Sequence, residues 1–172
     1  MKETRRKPKD SLKYVHIQGP TARVELPGGQ EALIDAQDVP LVGKYLWSLN
    51  TIGYAKTGSS SRLMRRLIMG SPPGLEIDHI NHDRLDNRRD NLRVCTRHQN
   101  QRNRSHSAGT RFPFKGVFQT TSGRFGGQIY ARGRKRNLGT YDTPTQAAKA
   151  YDQAAQEHFG EFAQLNFPSI IT

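Results

Sequence analysis

The sequence predicts an α+β protein of two modules, and three observations carry that reading. Short segments of alternating apolar and polar residues recur between Gly, Pro and Asn turns, the pattern of short strands rather than long helices. Two helix-opening capping boxes, Thr96-Arg97-His98-Gln99 and Thr143-Pro144-Thr145-Gln146, each follow such segments. Between the two boxes, Gln101 to Pro113 is polar, basic and without apolar periodicity, as a linker would be. At 172 residues the chain is long enough for one ordinary domain or two small ones.

Residues 1–12 read as a charged, basic tail. Thr21 to Leu26 and Gln30 to Asp35 read as two strands around the Pro27-Gly28-Gly29 turn. Asp38 then precedes Val39, Leu41, Val42, Tyr45 and Leu46, a short helix with Pro40 near its start. Trp47 and Tyr54-Ala55 suggest another strand pair. Leu63, Leu67 and Ile68 give one apolar face to a basic helix from Arg62 to Met69, stopped by Gly70-Ser71-Pro72-Pro73-Gly74. Leu75 to Ile80 alternates like a strand, and Arg93-Val94-Cys95 is a second, short one. The Thr96 box opens a helix next, so the unit runs strand, loop, strand, helix, with Asn100 in the first helical turn pointing back toward the strand of Asp78 and His79.

The second module has three strands with Gly-containing turns: Lys115 to Gln119, Arg124 to Ala131 and Lys135 to Tyr141. Its helix starts with Pro144 at the first position and runs to about Phe159, with Gly160 as C-cap. The inner face is small, Ala147, Ala150, Ala154 and Ala155 with Tyr151 among them, so this helix can lie close on a sheet.

Net charge is +12, unevenly placed. From Asn91 to Tyr141 there is no Asp or Glu, while Arg93, Arg97, Arg102, Arg104, Arg111, Lys115, Arg124, Arg132, Arg134, Lys135 and Arg136 all fall there. Guanidinium forks match phosphate geometry, so a tract this rich in arginine favours nucleic acid over a merely solvated face. Cys95 is the only cysteine, which excludes internal disulfides and a Cys-rich zinc site and suits a reducing compartment. No apolar run is long enough to span a bilayer, and Met1-Lys2-Glu3-Thr4-Arg5-Arg6 leads into polar sequence, so the expectation is a soluble, cytoplasmic, DNA-associated protein with no membrane partner.

The residues with chemistry are Asp78-His79, Asn91 and Asn100. A carboxylate and an amide that converge offer oxygen ligands to a hard divalent cation. A histidine beside them can take a proton from water. Metal, base and water are what phosphodiester hydrolysis needs. Other roles stay open for single residues: Asn87 and Asn91 could be turn residues bonded to their own backbone, and His82, His98 and His106 read as solvated or phosphate-adjacent.

Taken together, Asp78-His79-Ile80-Asn81, Leu85-Asp86-Asn87-Arg88-Arg89, Asn91-Leu92-Arg93 and Asn100 resemble the HNH nuclease ββα-metal unit, in the form found in phage and intron-encoded homing endonucleases. The resemblance extends to Val24–Asp35, the Trp47 and Tyr54 region, and Leu63–Gly70. It implies His79 as general base, Asp78 and Asn100 as holders of Mg²⁺ or Mn²⁺, and Asn91 as the catalytic-unit amide that braces the strands across the loop. Two departures stand out. The family usually reads Met-His-Arg where this chain has Met64-Arg65-Arg66, and a glycine where His82 and Arg84 stand.

Lys115-Gly116-Val117, Leu138-Gly139-Thr140-Tyr141-Asp142-Thr143, Ala147-Ala148-Lys149-Ala150-Tyr151-Asp152 and Leu165-Asn166-Phe167-Pro168 resemble the APETALA-type (ethylene-response-factor-like) DNA-binding domain. That resemblance implies a three-stranded antiparallel sheet that enters the major groove, packed on one helix. Plant members often place tryptophans where Phe125 and Asn137 stand, so their sequence preference does not carry over.

The expectation is therefore a metal-dependent, homing-type DNA endonuclease. Its HNH module covers 13–104, a linker 105–111 and the DNA-binding module 112–168. Arg65, Arg66, Arg93, Arg102, Arg104, Lys115, Gln119, Arg124, Gln128, Tyr130, Arg132 and Arg136 are the candidate contacts to double-stranded DNA. One catalytic unit most simply nicks one strand, which a monomer can do and a dimer could extend to both. The alternative is a catalytically weak or inactive DNA-binding regulator on the same scaffold. An RNA-binding module is disfavoured, because the C-terminal strands lack paired aromatics for base stacking.

Overall fold

The computed structural model describes residues 12–58, 62–102 and 112–168; the tail up to residue 11, the linker 105–111, Arg104 and His106 lie outside them. The fold is mixed helix and sheet, with several small antiparallel sheets. The chain divides into two compact units, Met1–Arg97 and His98–Thr172.

In the first unit, a 3-10 helix (Leu12–Tyr14) leads into β1 (Val15–Gln18), β2 (Thr21–Glu25) and β3 (Glu31–Asp35), an antiparallel sheet in that order. Alternation in β2 and β3 buries Ala22, Val24, Ala32 and Ile34 and leaves their neighbours outward. A 3-10 turn (Ala36–Asp38) and α1 (Val39–Val42), with proline in its first turn, follow. Next come β4 (Ser48–Leu49), β5 (Ala55–Thr57) and β6 (Arg62–Leu63), a second small antiparallel sheet, and α2 (Met64–Ile68). Trp47 precedes its strand; it is buried and donates its indole N–H to the Val42 carbonyl at 3.0 Å.

The basic helix expected from Arg62 is shorter than its apolar pattern suggested. Arg62 and Leu63 pair with Thr57 and Lys56, so Leu63 stays extended and helix begins only at Met64. Met64 and Ile68 then enter the core beside Ile34, Val42, Trp47 and Ile77. β7 (Glu76–His79) and β8 (Leu92–Cys95) form an antiparallel pair, and α3 (Arg97–Arg102) follows β8 in sequence. β1 had no reading in the sequence. It is an edge strand whose last three residues are exposed, so burial writes no alternation into it.

The loop between β7 and β8 is fastened to β3. Leu33 donates its N–H to the Leu85 carbonyl at 2.8 Å, and the Asn87 N–H donates to the Leu33 carbonyl at 2.7 Å. Below it, Arg89 grips buried Asp38 with both ends of its fork, at 3.0 and 2.7 Å. Breaking a buried pair on one side strands the other charge at a cost of about 3–5 kcal/mol, and the half-exposed Arg89 lets water reduce that. We expect Arg89→Ala to destabilise the protein by about 2–3 kcal/mol in urea unfolding, with Asp38→Asn in that background recovering part.

In the second unit, β9 (Val117–Gln119), β10 (Phe125–Ala131) and β11 (Arg134–Tyr141) form an antiparallel sheet with β10 central. Arg132 and Gly133, at φ 52° and 72°, make the two-residue turn between β10 and β11. α4 (Pro144–Phe159) carries the capping box at Thr143 and Gln146, and Gly160 is its C-cap. Its buried residues are Ala147, Ala148, Tyr151, Ala154 and Ala155; Ala150, expected inside, is only half-buried, and Ala148 takes its place. Asp152 on α4 accepts from the Asn166 and Phe167 backbone N–H groups at 2.7 and 2.9 Å, and the Asn166 amide bridges to the Lys115 backbone, which explains the Leu165-Asn166-Phe167 ending.

Burial lowers the Lys115 ammonium from 10.5 to about 8, and burial with Asp152 lifts the Tyr151 hydroxyl from 10.0 to about 12. Between about 8 and 10.5 the unfolded chain binds more protons at Lys115, so stability rises with pH. Between 10.0 and about 12 the folded chain holds the Tyr151 proton longer, so stability falls. Melting of the second unit should peak at about pH 10. Calorimetry from pH 7 to 12 tests this: Lys115→Met should flatten the rise and Tyr151→Phe the fall. Among the described residues, no helix is long and apolar enough to cross a membrane.

Candidate active site

Asp78 and His79 close β7, both buried, at 8% and 3% exposure. Register opposes Asp78 to Arg93 and His79 to Leu92. Directly opposed residues share a face, so Arg93 reaches Asp78 Oδ2 with Nη2 at 2.9 Å and Nε at 3.2 Å, an ion pair buried on both sides.

The His79 ring meets Tyr54, Asn87 and Arg65 among the described residues. It stacks on Tyr54 at 5.6 Å and 24°. Nε2 meets Asn87 Oδ1 at 3.4 Å, and Nδ1 meets Arg65 Nη1 at 3.5 Å. Burial first, then the Arg65 charge, lowers its pKa from 6.5 to about 4, against the opposing pull of Asn87, Asp78 and Asp83. At neutral pH the imidazole is uncharged and able to accept a proton. Arg65 and Arg84 both lie over the Tyr54 ring, at 4.0 and 5.2 Å. Arg65 Nε is buried and has no hydrogen-bond partner among the described residues.

Asn91 spans the loop: its Oδ1 accepts from the Asn81 N–H at 3.0 Å and its Nδ2 donates to the Asp86 carbonyl at 2.8 Å. Asp86 is buried and paired with Arg88, which holds its carboxyl below the ordinary range. His82 sits in the same loop at φ 66°, the left-handed region that favours glycine, which is the physical reason a glycine is usual there. Asn87 is 2% exposed. The sequence offered it only as a turn residue, yet its side chain faces His79.

A family model for the HNH endonuclease matches residues 61–102, from β6 to the end of α3. Over 145 residues the chain is 31% identical to an uncharacterized HNH endonuclease of Acanthamoeba polyphaga mimivirus, covering 80% of this chain and 75% of that protein. The chain belongs to the HNH endonuclease family. Two partial relatives are of another kind. An AP2/ERF and B3 domain-containing protein of Oryza sativa subsp. japonica is 46% identical over 55 residues, 32% of this chain and 15% of that protein. The dehydration-responsive element-binding protein 2A of Arabidopsis thaliana is 43% identical over 61 residues, 34% of this chain and 18% of that protein.

HNH membership implies a divalent metal, and the donor chemistry fits one. Asp78 offers a carboxylate, a hard ligand suited to a small cation that keeps much of its shell for water and phosphate. Among the described residues no group of three or more His, Cys, Asp or Glu converges so as to hold a metal ion. Asp78 belongs to the first unit and Asn100, half-buried on α3, to the second. Cys95 is buried and its thiol pushed up to about 11, so it is not a reactive nucleophile in this HNH protein.

Of the candidate DNA contacts, Arg66 donates to the Leu75 carbonyl at 3.3 Å. In the second unit a groove of about 760 Å³ is lined by His98, Arg102, Lys115, Gln128, Tyr130 and Arg132 among others. Lys115 Nζ donates to the Arg102 carbonyl at 2.7 Å, and the Arg102 guanidinium lies 4.6 Å over Phe159. Tyr130 is exposed, with its hydroxyl on the Gly133 carbonyl. Arg124 pairs with exposed Asp142, Gln119 donates to the Gly123 carbonyl, and Arg136 is exposed on β11.

Proposed function

We propose that this protein is a metal-dependent, homing-type DNA endonuclease, with a nuclease module over 13–104 and a DNA-binding module over 112–168. The observation that carries the reading is His79: buried, uncharged at neutral pH, next to Asp78, and inside the segment that matches the HNH family. A base without charge in a water-poor pocket can take the proton of an attacking water, a role worth about 10²–10⁴ in rate. Arg65 beside it carries a buried N–H lacking a partner, a donor suited to a phosphate oxygen in place of the family's histidine. Asp78 and Asn100 would hold Mg²⁺ or Mn²⁺, which when bound would neutralise charge on the scissile phosphate and the leaving 3′ oxygen. The partial likeness to plant AP2/ERF proteins supports duplex DNA as the partner of the β9–β11 sheet. Linking that sheet to the nuclease raises the effective concentration of the catalytic unit at its site.

Supercoiled plasmid incubated with Mg²⁺, Mn²⁺ or a chelator tests the proposal. Nicked circles should accumulate with either metal and not with chelator. Absence of cleavage even at stoichiometric protein, together with tight salt-sensitive binding, would establish the second reading, a DNA-binding regulator on an HNH scaffold. The Arg93 fork already on Asp78, and Arg65 in place of a histidine, are what favour that reading.

A further inference from the structure

His79 lies against Asn87 and Arg65, and the two contacts constrain its tautomer independently. The Asn87 amide cannot be turned freely: its Nδ2 donates to the Leu85 carbonyl at 3.1 Å, and a carbonyl only accepts. Its other end, facing His79 Nε2 at 3.4 Å, is therefore the oxygen, which also only accepts. Nε2 must then carry the hydrogen. On the far side of the ring, Arg65 Nη1 at 3.5 Å from Nδ1 can only donate, which requires a lone pair on Nδ1. Acceptor on one nitrogen and donor on the other select the same neutral tautomer.

We propose that Asn87 is the positioning residue for His79: its side-chain carbonyl holds the imidazole as the Nε2–H tautomer and presents Nδ1 as the basic nitrogen. The backbone makes this holder rigid. The Asn87 N–H is bonded to the Leu33 carbonyl on β3, and Leu33 N–H to the Leu85 carbonyl, so the amide is fixed to the β1–β3 sheet. Tyr54, stacked on the ring face, opposes tilting about Cβ–Cγ, and the Asn87 contact selects between the two flipped ring positions that stacking permits. Arg65 marks where Nδ1 opens. An anion drawing its guanidinium away would leave that nitrogen for a water. The catalytic consequence rests on the nuclease reading; the tautomer itself is a property of the metal-free, DNA-free chain.

The experiment is ring ¹⁵N and ¹H NMR of histidine-labelled full-length protein at pH 7.5, with His79 assigned from the spectrum that His79→Gln loses. The wild type should show one neutral tautomer, protonated at Nε2, with an Hε2 signal slowed in exchange. Asn87→Leu should lose the Hε2 signal, and Asn87→Asp, which restores an oxygen acceptor, should bring it back. Unchanged β3 amide resonances certify that the variants are folded. In cleavage, Asn87→Leu should lower kcat by about tenfold to a hundredfold, the effect typical of groups that orient a site's histidine, with KM within about twofold. A wild-type ring protonated at Nδ1, or an Hε2 signal indifferent to Asn87→Leu, would overturn the proposal. A wild-type protein that cleaves nothing would instead sink the nuclease reading and leave the tautomer result standing.

Discussion

His79→Ala is expected to reduce plasmid cleavage by about 10²–10⁴-fold while DNA affinity stays within a few fold. The size follows from the loss of a general base, and the separation from geometry. His79 is 3% exposed and contributes almost nothing to any surface that DNA could touch. Its partners lose little that they cannot replace: Asn87 and Arg65 face a small cavity, which a few waters or added imidazole can fill. Partial rescue by imidazole at millimolar concentration is therefore part of the expected result. Single-turnover cleavage of supercoiled plasmid with saturating Mn²⁺ measures the first half, and a gel shift in chelator the second. Equal cleavage by mutant and wild type would remove His79 from the mechanism, and a parallel loss of binding would mean that the variant had lost its fold.

The site was legible where chemistry lies in adjacent residues and opaque where it lies in register. Asp78-His79 stands out in one line of sequence because two unlike functional groups sit together. That Arg93 occupies the Asp78 carboxylate depends on the pairing of β7 with β8, which turns a separation of fifteen residues into direct opposition. Asn87 looked like turn chemistry because Asn is common in turns. Its burial comes from Leu33, more than fifty residues earlier, and no local pattern encodes that contact. The same distinction runs through the fold. β2 and β3 were readable since one face is in the core, whereas β1 at the edge and β6, which delays the start of an expected helix, owe their state to neighbouring strands. α4 was the most legible element, because a capping box, a proline at the first position and a C-cap glycine all act locally.

Gly116→Ala should destabilise the second unit by about 3–4 kcal/mol, a large share of what a small domain has. Two costs combine. Gly116 has φ 78°, where a residue with a Cβ costs about 1–2 kcal/mol. The added methyl would also overlap the Tyr151 ring and come within 2.7 Å of the Gln128 carbonyl oxygen, and overpacking of this kind costs about 1–3 kcal/mol. Neither neighbour can retreat easily. Tyr151 is buried against Ile129, Ala154 and Ala155, and Gln128 is tied to Gly116 by its own N–H on the Gly116 carbonyl at 2.8 Å. Calorimetry of the full chain should show the second unit's transition move down by more than ten degrees, near the 4–8 °C per kcal/mol of a small domain. Tyr151→Ala in the Gly116→Ala background relieves the overlap and leaves the backbone strain, so the double variant should fall short of the sum of the two single losses. DNA affinity should drop with the second unit's stability, while the first unit's transition should stay where it is. A Gly116→Ala protein that melts like the wild type would show that the β9 entry can shift to admit a side chain, and the glycine would then owe its place to something other than the Tyr151 contact.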